Sequence, residues 1–220
     1  MTRVVILGVS GHAKVIVDII ENQTDLELIG LIDNFASIDA KVLGYSVLGN
    51  DALLPDLMKK LDFAKGIIGI GDNSRRSYVA KTIKSISPEF EFVNCIHTSA
   101  KIGKSISLGQ GNVIMPGVVI NACSTIENHS ILNTNSSIDH DCHMKDFSSI
   151  GPNCAVGGNS SIGEYSAIGI GASVFHNIKI ADNCIVGGGS IVTKNTHANS
   201  VYFGSPAKFI RNHNLGDKYL

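Results

Sequence analysis

The stretch IDHDCHMKDFSSIGPNCAV, residues 138–156, repeats itself every six positions. Ile138, Met144, Ile150 and Val156 are large and apolar, and Cys142, Ser148 and Cys154 are small. Neither a helix nor an isolated strand has that period, since their repeats are about 3.6 and 2 residues. Stepping by six in both directions from Ile138, the rule holds from Ile102 to Val192: all sixteen positions are aliphatic or Met, with no insertion. One large apolar and one small residue per hexad describe a flat-sided prism. Each hexad is a face, three hexads are a coil, and the chain then returns above itself at a strand spacing of about 4.8 Å. Glycines that recur in this region (Gly109, Gly151, Gly157, Gly163, Gly169 and Gly187) are expected at the corners, where unusual backbone angles are needed. Cys142, Cys154 and Cys184 occupy the small slot, which favours a packing role over redox or metal chemistry.

Stacking every eighteenth residue turns the sequence into a map. His140 stands two after the inward Ile138, so its side chain is expected to point outward. Its column reads Ala122, His140, Gly158, His176. A histidine beside a glycine is the layout for a base next to a backbone N–H oxyanion donor. Of the flanking carboxylates Asp139 and Asp141, one can orient the imidazole and raise its basicity. A second column, Pro152, Ile170 and Gly188, is narrow and suits a thin ligand lying along the prism axis. His143 reads as incidental, and His129 and His176 as further groove candidates. A metal site lacks a third convergent histidine, so no metal is expected.

Residues 1 to 97 have a different grammar. RVVILG (3–8), LELIGLID (26–33), GIIGIG (66–71) and FEFVNCIH (90–97) read as strands. HAKVIVDIIEN (12–22) and SRRSYVAKTIKSI (74–86) read as helices. Alternation of this kind predicts a small parallel sheet with Rossmann-like βαβ units. ILGVSGHAK (6–14) ends a strand and opens a helix, a place where backbone N–H groups receive phosphate. It departs from the dinucleotide pattern GxGxxG, and too few strands follow for a two-halved dinucleotide domain. A mononucleotide or nucleotide-sugar site fits better. Ligands lie beyond the carboxyl ends of parallel strands, which gathers Gly8–His12, Asp33–Asn34 and Gly71–Asn73. The expected organisation is an α/β domain over 1–97, a left-handed parallel β-helix over 98–195 and a short C-terminal tail over 196–220.

Bulk composition narrows the function classes. A formal net charge of −1 without a basic stripe argues against nucleic acid. Apolar runs are too short to span a bilayer, and the opening residues lack the regions of a signal peptide. Five scattered cysteines with no CxxC suggest a cytoplasmic protein.

Taken together, GVSGHAK, LIDN, IGIGDN, VVINACSTIENHSILNTNSSIDHDC, IVGGGSIVTKN and GSPAK make the chain resemble the bacterial sugar O-acyltransferase family of sialic-acid O-acetyltransferase type. Within it, the chain resembles the UDP-4-amino-sugar N-acetyltransferases. The resemblance, not the periodicity, supplies the left hand of the helix. It implies acetyl-CoA as co-substrate and a homotrimer with active sites between adjacent prisms. His140 matches the general base, Asp141 the acid that tunes it, and Gly158 the N–H facing the thioester carbonyl. Ser10, Gly11, His12, Asp33, Asn34, Gly71 and Asn133 match substrate-binding positions. Ser149, Ile170, Gly188 and Lys208 match cofactor-binding positions; relatives can carry a His where Ser149 stands. The implied reaction is acetylation of an amine on a UDP-linked amino sugar. The alternatives are a GDP-linked amino sugar, O-acetylation of a sialic-acid-like sugar, and a non-catalytic nucleotide-sensing trimer.

Overall fold

The computed structural model describes residues 1–22 and 25–218. Residues 219 and 220 of the expected tail lie outside them. The chain forms two compact units, Met1–Thr98 and Ser99–Leu220.

In the first unit β1 (Thr2–Leu7), α1 (Gly11–Glu21), β2 (Leu26–Ile32), β3 (Lys41–Val42), β4 (Tyr45–Gly49), α2 (Leu54–Leu61), β5 (Lys65–Ile68), α3 (Asn73–Ile86) and β6 (Glu91–Phe92) follow in order. The sheet runs β3-β4-β2-β1-β5-β6. All pairs are parallel except the edge hairpin β3–β4. The sequence reading lacks this hairpin. Its two-residue turn, Leu43–Gly44, has φ of 48° and 92°, the left-handed pair of a tight hairpin without the usual Asn-Gly or Asp-Gly signal. The expected fourth strand, 90–97, is broken: Glu91–Phe92 joins this sheet and Cys95–Ile96 is a separate strand. The Val4–Leu7 part of central β1 is apolar, with Val4, Val5 and Ile6 at 0% exposure, as a strand covered on both faces must be. α1 buries Ala13, Ile16, Val17, Ile19 and Ile20 on one side.

The second unit is a three-sided parallel β-helix of two-residue strands. Ser137–Ile138 pairs with Val119–Ile120 below and Ala155–Val156 above, and the same eighteen-residue register repeats on the other faces. From Ile114 to Val192 every sixth residue is at most 3% exposed. The small slot also faces inward, and its hydroxyls and thiols bond across coils. Ser124 Oγ donates to Asp139 O at 2.8 Å, Ser160 Oγ to Phe175 O at 2.9 Å and Cys154 Sγ to Gly169 O at 2.9 Å. A small polar side chain thus ties a backbone carbonyl near the corner to the neighbouring coil.

The corners correct one expectation. Positive φ falls on the third residue after each inward aliphatic, from Ser105 to Gly189, and most of these residues are not glycine. Asn and Asp, common there, tolerate this conformation. The glycines expected to supply it, Gly109, Gly151, Gly157, Gly163, Gly169 and Gly187, have no positive φ. They stand one residue after the inward position, where space is short. A Cβ on Gly163 would lie 2.4 Å from the Ala181 carbonyl carbon, and one on Gly151 would lie 2.8 Å from Ile170 N. Coil-to-coil approach, not backbone angle, requires them. Beyond the prism strands, Ser200–Gly204 adds in parallel to Cys184–Val186 and turns back antiparallel into Ala207–Asn212.

Candidate active site

His140 follows strand Ser137–Ile138 onto a corner and is exposed. Asp141 sits in the left-handed corner position, φ 57°, which turns its carboxylate back toward its neighbour. Its Oδ2 lies 2.7 Å from His140 Nδ1. Asp139 Oδ1 accepts from His140 N and from Asn121 Nδ2, both at 2.9 Å. The hydrogen bond to Asp141, then the field of Asp139, hold the His140 pKa above its ordinary value. Asp139 stays ionised below the usual carboxylate range, chiefly through Asn121 and then the His140 N–H, with a weaker contribution from the N–H of Gly158.

With Nδ1 engaged by Asp141, the other ring nitrogen faces Gly158. A Cβ at Gly158 would lie 2.8 Å from both Nε2 and Cε1 of His140, so a larger residue would displace the ring. A cavity of about 510 Å³ runs along this corner, with Asn121 and Asp139 on its lower coils, Gly157 and Gly158 in its middle, and Phe175 and His176 above. Ser137, Ala155 and Ser173 form its wall. The arrangement offers a tuned base beside a backbone that a ligand can touch.

The Met1–Thr98 unit builds a second candidate site by itself. Because β1 lies between β2 and β5, three loops open at one sheet edge. Ser10 caps α1, accepting from His12 N at 3.1 Å and donating to Gly69 O at 2.7 Å. The cap bridges the loops after β1 and β5. Gly11 and Gly71 have no atom within 4 Å of where a Cβ would stand, so their backbone is open to a ligand. His12 Nε2 is buried with no hydrogen-bond partner among the described residues. Burial, then the Arg76 charge, lowers its pKa to about 3, so the ring is neutral near pH 7. Asp33 Oδ1 accepts from Phe35 N and Ala36 N, each at 2.8 Å. Asn34 is clasped to Asp51: Nδ2 donates to Oδ2 at 2.8 Å and Oδ1 accepts from Asp51 N at 3.0 Å. That amide holds two loops together.

Comparison with known proteins agrees with this architecture. The PglD N-terminal domain family matches residues 3–83. A UDP-N-acetylbacillosamine N-acetyltransferase of Bacillus subtilis (strain 168) is 31% identical over 116 residues, 52% of each protein. The match therefore spans about half the length of that relative. PerB from Caulobacter crescentus, solved in complex with CoA and GDP-perosamine, is 34% identical with a TM-score of 0.88, covering 96% of this chain and 98% of that one. The chain belongs to the sugar acetyltransferase family with a left-handed β-helix. The acetyltransferase domain of PglB from Neisseria gonorrhoeae FA1090, solved with acetyl coenzyme A, is 26% identical with a TM-score of 0.86, covering 94% of this chain and 98% of that chain.

Within this family member, some candidates converge and others do not. His140, Asp141 and Gly158 meet at one corner. Ile170 and Gly188 stack on another, where the Ile170 Cγ2 is 3.1 Å from a Cβ placed on Gly188, and Ile170 is 61% exposed. Ser149 lies in the strand between Ile131 and Ala167 that feeds this second corner. Lys208 is exposed on strand Ala207–Asn212, and the Asn133 side chain accepts from Thr134 N at 2.8 Å. A single prism does not bring Ile170 and Gly188 to His140. His129 is not in a groove either: it is 5% exposed and stacks on Phe147 at 4.9 Å between ring centres. His143 pairs with Glu127 at 2.6 Å on another face. Asp139 and Asn121 were missed as a pair, although they stand one coil apart and the eighteen-residue map contains the contact.

Proposed function

We propose that the chain transfers the acetyl group of acetyl-CoA to the amine of a nucleotide-linked 4-amino sugar. The observation that carries the reading is the His140 corner: Nδ1 held by Asp141 at 2.7 Å, the other ring nitrogen against Gly158, and a cavity of about 510 Å³ alongside. The amine attacks the thioester carbon, its proton passes to His140 Nε2, and the carbonyl oxygen becomes an oxyanion that accepts from Gly158 N–H. Such a donor is typically worth about 3 kcal/mol. The C–S bond then breaks, the sulfur keeps the electron pair, and the thiolate takes the proton from His140.

The sheet edge of the Met1–Thr98 unit holds the nucleotide, with the α1 N-terminus and neutral His12 toward phosphate and Asp33 toward ribose and base. Of the relatives named above, one is a UDP-N-acetylbacillosamine N-acetyltransferase and another is solved with GDP-perosamine, and either nucleotide is admitted. A homotrimer resolves the split between corners: the His140 corner of one copy would meet the Ile170–Gly188 corner of the next. Five free cysteines suit a cytoplasmic setting. Thiol release from acetyl-CoA should appear with a UDP- or GDP-linked 4-amino sugar and not with a free sialic acid. Turnover of the sialic acid alone would replace this reading with O-acetylation.

A further inference from the structure

His176 has no part in the chemistry above, yet it completes the catalytic column. Asp141 N donates to Ala122 O at 3.1 Å, Asn159 N to His140 O at 2.9 Å, and Asn177 N to Gly158 O at 2.9 Å. The identical inter-coil bond, repeated, stacks His140, Gly158 and His176 one above another, at a spacing of about 4.8 Å per coil. His176 is exposed, lines the same cavity as Gly158 and stands beside Phe175, which is 50% exposed.

The two ends of this cavity differ in chemistry. Toward Asn121 and Asp139 it carries a carboxylate that stays ionised, suited to an incoming amine. Toward Phe175 and His176 it offers an apolar ring and an imidazole above a wall of Ser and Ala. An acyl donor whose carbonyl is on Gly158 must therefore lead its chain away from Asp139, up the column. In acetyl-CoA the carbonyl is followed by sulfur, two methylenes and an amide. We infer that His176 is a positioning residue for the acyl donor: its imidazole hydrogen-bonds the amide nearest the thioester while Phe175 covers the methylenes. An imidazole always carries an N–H, and its neutral form also accepts, so either side of the amide is a partner. The inference rests on the acyl-transfer reading of His140 and adds to it the direction of the donor arm.

The test compares acetyl-CoA with an analogue in which that amide is replaced by methylenes. For the wild type, losing the amide should lower kcat/KM about tenfold, the worth of one hydrogen bond. His176→Ala should lose a similar factor with acetyl-CoA, mainly through KM for the donor, and lose almost nothing further with the analogue. KM for the nucleotide sugar should not move. His176→Gln, which keeps a donor and an acceptor, should recover most of the loss. An equal loss with both donors, or no loss with either, would overturn the assignment. Failure of the wild type to release thiol from acetyl-CoA with any amino-sugar nucleotide would instead remove the acyl-transfer reading, and this inference with it.

Discussion

The two units make sites in opposite ways. In the Met1–Thr98 unit three loops of unlike sequence meet at a sheet edge, and side chains pin each one: Ser10 to Gly69, Asp33 to its own turn, Asn34 to Asp51. In the prism no loop is needed. A fixed register places residues eighteen apart in contact, so a site is a column, and its parts are added by changing one residue per coil. The loop site can present unlike side chains to one ligand. The column site is rigid, and it confines chemistry to what a corner and its neighbours present.

The largest expected effect tests whether the units divide the labour. His140→Ala should lower kcat by a factor of about 10² to 10⁴, the usual contribution of general base catalysis. Binding of CoA by calorimetry, and the thermal shift caused by nucleotide sugar, should persist. If binding vanished with turnover, the corner would be structural and the division false. Asp141→Asn is the next step down. Asn is at home in the left-handed corner, so the ring stays oriented while the carboxylate charge goes. The base works unprotonated, so activity rises with pH through the His140 pKa. That pKa is raised first by Asp141; without it, the acid limb of kcat/KM should move to lower pH while the plateau falls roughly tenfold, the order expected for a weakened general base. A limb that does not move would mean that Asp139 alone tunes the ring.

Legibility in the sequence divides along the same line. The prism, its inward positions and the His140–Gly158 contact can be read because period fixes distance: eighteen residues are one coil. Even the separation of His140 from Ile170 and Gly188 is in the period, since they fall on different corners. What the period hides is the reason for each small residue. Gly151 and Gly163 looked like turn formers and are spacers. In the N-terminal unit strands β1, β2 and β5 and helices α1 and α3 were legible from apolar runs, whereas α2, Leu54–Leu61, was not. The β3–β4 hairpin was not, because Leu43–Gly44 carries no strong turn signal, and neither was the Asn34–Asp51 clasp, which joins residues that no repeat relates.

Acid should distinguish the units. His12 is lowered to about 3 by burial and then by Arg76, so folding holds it neutral while the unfolded chain protonates it near pH 6.5. Its stabilising contribution is present above that pH and is lost as pH falls from there toward the folded value. Unfolding free energy from denaturant titration should therefore drop with a slope approaching one proton, about 1.4 kcal/mol per pH unit, below pH 6.5. His12→Gln should flatten this part of the curve. An unchanged slope would assign the acid sensitivity elsewhere.

The smallest effect comes from making one substitution in both regions. Cys142 fills a slot that is Ser one coil below and one coil above, at Ser124 and Ser160. Its N–H donates to Ser124 Oγ at 3.0 Å and its thiol faces Gly157 O at 3.4 Å. A hydroxyl finds that carbonyl waiting, so Cys142→Ser should change stability by less than about 0.5 kcal/mol, as for substitutions that disturb no packing or pairing. Cys142→Leu, which overpacks the layer, should cost about 1–3 kcal/mol. Cys95 is 0% exposed in the other unit, and burial, with a smaller push from Asp25, raises its thiol to about 12. Among the described residues no donor or acceptor meets its side chain as the Gly157 carbonyl meets that of Cys142. Cys95→Ser should therefore cost about 1–3 kcal/mol, the penalty for a buried polar group left without a bond. Equal costs at the two cysteines, measured by denaturant unfolding, would mean that the small slot of the prism is defined by volume alone and not by the hydrogen bonds that cross its coils.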